Sequence, residues 1–155
     1  MKFFNFFVLV FCLLACQNTP ANAQEQVTSI VGKLENGNPV FTVDKLKMIE
    51  VYNANLLRHS GINAKFTQVE IVKNPSEDHA EEPYFLVFKG GAYRSSFVVT
   101  EHDSQLKAIA GISCTRSACA EEDLGCTPKA TGWACRPCAN KGKYTKTVTG
   151  FSLIE

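Results

Sequence analysis

The stretch YFLVFKGGAYRSSFVVT, residues 84–100, decides the fold. Tyr84-Phe85-Leu86-Val87-Phe88 is apolar at every position, a pattern that suits a strand buried on both faces. Gly90-Gly91 interrupts the run and turns the chain. From Tyr93 to Thr100 the pattern resumes, now with Tyr93, Phe97 and Val99 on one face. Two such runs joined by a short glycine turn predict antiparallel neighbours at the middle of a sheet.

Working outward, Lys65 to Val72 carries Thr67, Val69 and Ile71 on one face, and Leu106 to Ile112 alternates through Leu106, Ala108, Ala110 and Ile112. Short polar turns between these runs favour an antiparallel meander over parallel crossovers. Upstream, Leu46, Ile49, Tyr52 and Leu56-Leu57 recur at three- and four-residue spacing, behind an Asp44 placed to cap a helix. Arg58 and His59 suit the negative end of the helix dipole, and Gly61 suits a left-handed cap. The spacing predicts a helix over about 44–59, with Leu46, Ile49, Tyr52 and Leu56 buried against the strand at 84–88. Before it, Ile30–Leu34 and Pro39–Val43 flank Glu35-Asn36-Gly37-Asn38, and Asn-Gly marks a β-hairpin turn. Residues 24–29 read as a polar lead. The fold class expected is α+β: an N-terminal hairpin, one helix packed on an antiparallel sheet, then a cysteine-rich loop at 113–142 and a last strand within Tyr144–Ile154.

The chain of 155 residues opens with Met1-Lys2 and the apolar run Phe3 to Ala15, broken only by Asn5. That run has the length of a signal-peptide core and is short for a membrane span. Ala21-Asn22-Ala23 before Gln24 fits ordinary signal peptidase, giving a signal of 1–23. Leu13-Leu14-Ala15-Cys16 resembles a bacterial lipobox, giving a signal of 1–15 and a lipid on Cys16. Either route leaves one α+β domain, 24–155 for the soluble form. Removal of residues 1–23 leaves 132 of the 155 residues, with 15 basic and 15 acidic side chains. A chain without net positive charge offers no field for nucleic acid. Asn74-Pro75-Ser76 is excluded as a glycosylation site by its proline. The expected location is therefore exported: periplasm, cell surface or extracellular space, with a bacterial envelope favoured.

Export makes the thiols informative, because outside the cytosol paired cysteines are normally oxidised. The core cysteines are Cys114, Cys119, Cys126, Cys135 and Cys138, an odd number. Three readings fit them. Structural disulfides would staple the segment, with Cys135 and Cys138 bonding outward to Cys114, Cys119 or Cys126. A metal site would use Cys114, Cys119, Cys135 and Cys138, whose spacing C-x4-C-x15-C-x2-C is close to a two-knuckle zinc pattern; four thiolates also suit an iron–sulfur cluster. The piece CRPCANKG resembles a zinc-ribbon knuckle. Finally, WACRPC is similar to the W-C-x-P-C motif of thioredoxin-like proteins, which implies thiol–disulfide exchange at Cys135 and Cys138. It departs from that motif in the displacement of Trp133 by one residue and in lacking a helix behind the second cysteine.

No nucleophile elbow or phosphate loop is present, and no catalytic residue stands out. His59 reads as a helix cap, His79 as part of a solvated acidic loop with Glu77, Asp78, Glu81 and Glu82, and His102 as a turn residue beside Asp103. Lys129, Arg136, Lys141, Lys143 and Lys146 form a basic stretch suited to an anionic partner. The sequence thus points to an exported, non-enzymatic binding or structural module without cofactor, acting on an envelope or extracellular ligand or protein. The alternatives are a cysteine-ligated zinc or iron–sulfur protein and a thiol redox protein.

Overall fold

A computed structural model describes residues 28–75, 84–109, 111–117, 123–129, 134–137, 145–149 and 153–154. Within them lie eight strands and one helix. Strands β1 (Thr28–Glu35) and β2 (Asn38–Phe41) form a hairpin, followed by helix α1 (Lys45–Ser60). Then come β3 (Gln68–Lys73), β4 (Tyr84–Gly90), β5 (Tyr93–His102), β6 (Gln105–Ile109), β7 (Gly111–Arg116) and β8 (Thr145–Thr149). All pair antiparallel, in the order β2-β1-β6-β5-β4-β3, with β7 on β5 and β8 on β7. The α+β class and the central place of 84–100 are as the sequence predicts.

The helix is bounded by its caps. Asp44 accepts hydrogen bonds from the backbone N–H of Leu46 at 2.8 Å and of Lys47 at 3.1 Å, satisfying donors that have no partner within the helix. Gly61 closes it at φ 68°, donating its N–H to Leu57 O at 3.0 Å. Met48, Ile49, Tyr52 and Leu56 are buried on the sheet, where they meet Leu86, Phe88, Phe97 and Val99. Leu46 corrects the expectation: it is 71% exposed, and Leu57 is 50% exposed. At about 100° per residue, both lie roughly a third of a turn from the centre of the buried face. Met48 takes the place assigned to Leu46.

Aromatic contacts hold the centre of this layer. The Tyr52 ring lies 4.4 Å from Phe88, 5.1 Å from Phe97 and 5.6 Å from Phe66, measured between centroids. Phe66 precedes β3, in a segment whose Lys65 has φ 53°, so β3 starts three residues later than the alternation suggests. Gly90 permits the close approach of that segment: a Cβ there would stand 2.7 Å from both Lys65 O and Thr67 N. The polar lead is likewise shorter than expected, since β1 begins at Thr28. The opposite face of the sheet buries Phe85, Val87 and Val98, with Val72, Ile109 and Leu124 packed around them. Burial on both faces explains why residues 84–88 show no alternation.

The expected single strand from Leu106 to Ile112 is two strands. On β5 the step from Val99 to Ser96 spans three residues, whereas the partner advances six, from Ala108 to Cys114. The three extra residues shift the alternation by an odd number. Ala108 therefore packs on the helix side with Val99, and Cys114 stands beside Ser96 on the far side. The shift also separates the two edges of the sheet: β1 pairs with β6, and β8 with β7.

Candidate functional site

The shift in alternation delivers Cys114 to the face away from the helix, and the cysteine-rich segment folds onto that face. Cys114 and Cys135 form a disulfide with their Cα atoms 5.8 Å apart and 21 positions apart in sequence. Cys126 joins them in a buried cluster, all three at most 4% exposed. The surrounding loop is held by its backbone: Lys129 N–H donates to Ala134 O at 2.8 Å, Arg136 N–H donates to Thr127 O at 2.7 Å, and Pro128 bridges Cys135. The Ser96 hydroxyl donates to Leu124 O at 2.6 Å, tying the loop to β5. Because β7 and β8 pair directly, the segment is an excursion from one sheet and returns to it.

The structure therefore brings Cys114 and Cys135 together and leaves Cys135 bonded outward, as the first of the three readings expects. Cys119 and Cys138, the remaining members of the four-thiolate set, lie outside the described residues, as do the signal segment, His79 and its acidic neighbours, Lys141 and Lys143. Among the described residues, no three His, Cys, Asp or Glu side chains gather as a metal-holding group. A disulfide supplies no thiolate, so Cys114 and Cys135 would ligate zinc or an iron–sulfur cluster only after reduction of their bond.

Of the basic stretch, Lys129, Arg136 and the backbone of Lys146 lie within the described residues. Lys129 is exposed, while the Arg136 guanidinium donates to Pro128 O at 3.0 Å and helps to shape the loop. Lys146 occupies the register position opposite Cys114. His102 Nδ1 lies 3.0 Å from Asp103 Oδ2, with side chains 74% and 87% exposed. They sit at the β5–β6 turn, six residues along β5 from Ser96 and roughly 20 Å from the cysteines. Among the described residues, that separation keeps His102 away from Cys114, Cys126 and Cys135.

On the helix side of β7 lies a second polar group, which the sequence did not reveal. The Tyr52 hydroxyl shares hydrogen bonds with Ser95 Oγ at 2.5 Å and Thr115 Oγ1 at 3.3 Å, and those two hydroxyls share another at 2.8 Å. Burial pushes the Tyr52 hydroxyl above its ordinary value of 10.0; hydrogen bonds with Ser113, Ser95 and Thr115 oppose that rise, and nearby Cys126 adds to it. Buried together, these hydroxyls pin helix to sheet. The sequence hides such a group: Ser95 shares a face with Tyr93, Phe97 and Val99, but nothing local marks Thr115 as its neighbour, which only the pairing of β5 with β7 supplies.

The protein-family models, the curated proteins and the solved structures compared with this chain include none that matches it.

Proposed function

We propose that the chain is exported and acts as a non-enzymatic binding or structural module of the cell envelope or its surroundings, with the cysteine segment stapled to its sheet. The observation that carries this reading is the disulfide between Cys114 on β7 and Cys135 in the loop. Such bonds persist in oxidising compartments, and the leader at residues 1–23 would send the chain to one. Buried hydroxyls and hydrogen-bonded loop carbonyls support a rigid presenting surface better than a reacting centre.

Fractionation of the native cell followed by intact-mass measurement tests the proposal. The expected protein is in the exported fraction, begins at Gln24 or at lipidated Cys16, and loses two hydrogens for each disulfide. A folded protein in the cytosol that still begins at Met1, with all its thiols reduced, would contradict export and favour the metal reading.

A further inference from the structure

The turn between β1 and β2 holds a reactive pair. Asn36 is the only asparagine of the chain that a glycine follows. Asn36 has φ 52° and Gly37 φ 78°, and both are exposed. A Cβ built on Gly37 would meet nothing within 4 Å, so open space surrounds the peptide between them. The main-chain O of Asn36 accepts from Asn38 Nδ2 at 3.4 Å. Among the described residues, the Asn36 side-chain amide and the Gly37 N–H have no hydrogen-bond partner. Gly37 also lacks a Cβ, so the peptide can swing its nitrogen toward Asn36 Cγ. Other asparagines are placed differently. Asn38 and Asn74 precede proline, whose nitrogen carries no proton. Asn53 and Asn55 lie inside α1, where the next N–H is bonded within the helix. Asn63 precedes Ala64, which is 4% exposed.

We propose that Asn36 is a self-modifying site: it loses ammonia through a ring closed with Gly37, and the isoaspartyl product loosens β2 from β1. Hydroxide takes the Gly37 amide proton, and the nitrogen attacks Asn36 Cγ. The Cγ–Nδ2 bond breaks, and Nδ2 takes a proton from water and leaves as ammonia. A succinimide ring remains, and water opens one of its two C–N bonds. Opening at Cγ gives an aspartyl side chain; opening at the α-carbonyl gives an isoaspartyl linkage, with the main chain running through Cβ. No electrons are transferred, and water is the only co-reactant. The isoaspartyl form lengthens the main chain inside a two-residue turn that depends on positive φ at both positions. Strand β2 has only four residues, pairs with β1 alone among the described strands, and starts where Glu35 stands directly opposite Asn38. The new carboxylate arises next to Glu35. It also lies near the β5–β6 turn that carries Asp103, since Leu34 N–H donates to Ser104 O at 2.8 Å, and like charges there repel. This chemistry does not depend on what the chain binds.

Incubation of the purified folded chain, disulfide intact, between pH 7 and pH 9, with peptide mapping against a time-zero aliquot, is the test. Tryptic residues 34–45 carry Asn36 and Asn38, and residues 59–65 carry Asn63. The expected product shows the mass rise of an amide turned into an acid and forms at Asn36 severalfold faster than at Asn63. Its rate rises with pH, and it contains isoaspartate in excess of aspartate. Gly37→Ala should slow the conversion severalfold, because a Cβ hinders ring closure. Asn36→Gln, which could close only a larger ring, should abolish it on this timescale and serves if Gly37→Ala, strained at φ 78°, does not fold. Amide hydrogen exchange along β2 should be severalfold faster in the isoaspartyl form than in the parent chain. Conversion at Asn36 no faster than at Asn63, an aspartyl product alone, or unchanged exchange along β2 overturns the proposal.

Discussion

The Asn53 side chain holds the backbone of Phe66 at both of its polar groups, donating from Nδ2 to Phe66 O and accepting from Phe66 N–H, each at 2.9 Å. Phe66 is 2% exposed and lies before β3 begins, so no strand satisfies its peptide groups in place of the helix. Asn53→Ala would leave both without that partner, at a cost of about 1–3 kcal/mol for each group that stays buried. Urea denaturation should show a loss of about 2 kcal/mol or more at unchanged m-value. A loss below about 0.5 kcal/mol would mean that water replaces the amide at no cost.

Tyr52 yields a test with a pH signature. Tyr52→Phe removes the hydroxyl but leaves Ser95 and Thr115 bonded to each other, so the expected loss is about 1 kcal/mol near neutral pH. Burial raises the folded-state value above 10.0, so above that pH the unfolded chain gives up a proton that the folded chain retains. The contribution is complete below about pH 10 and declines as pH rises through the folded value, at up to about 1.4 kcal/mol per pH unit. Stability curves between pH 8 and pH 11 should fall more steeply for the parent chain than for Tyr52→Phe. Parallel curves would contradict the buried, neutral hydroxyl.

Two leucine positions and one isoleucine separate the buried helix face from its flank. Ile49→Ala and Leu86→Ala remove side chains 7% and 0% exposed and should each cost about 2–5 kcal/mol. Leu46→Ala, at 71% exposure, should change stability by less than about 0.5 kcal/mol. Equal losses at Leu46 and Ile49 would show that the helix is rotated on the sheet.

Local chemistry explains what was legible in the sequence. Asp44 and Gly61 mark the helix ends because capping acts within one turn, and Asn36-Gly37 marks the hairpin because few residues accept φ of 52° and 78° in succession. The doubly buried strand at 84–88 declared itself by its unbroken apolar run. Leu46 misled because a leucine at helical spacing carries no sign of how far the sheet extends beneath the first turn. The three-residue register shift between Ala108 and Cys114 left no mark, since it depends on pairing with β5. With it went the placement of Cys114 and the hydroxyl group at Tyr52. Each of these joins residues that only the sheet makes neighbours.

The stapled loop is tested most directly by peptide mapping of the unreduced protein. Trypsin does not cut the Arg136-Pro137 bond, so Cys135 and Cys138 travel in one peptide and fragmentation must separate them. The expected result is a linked pair in which Cys114 is bonded to Cys135, and reduction of that bond should cost about 3 kcal/mol for a closure of this length. A bond between Cys135 and Cys138, or Cys114 and Cys135 recovered as thiolates on a bound zinc, would contradict it.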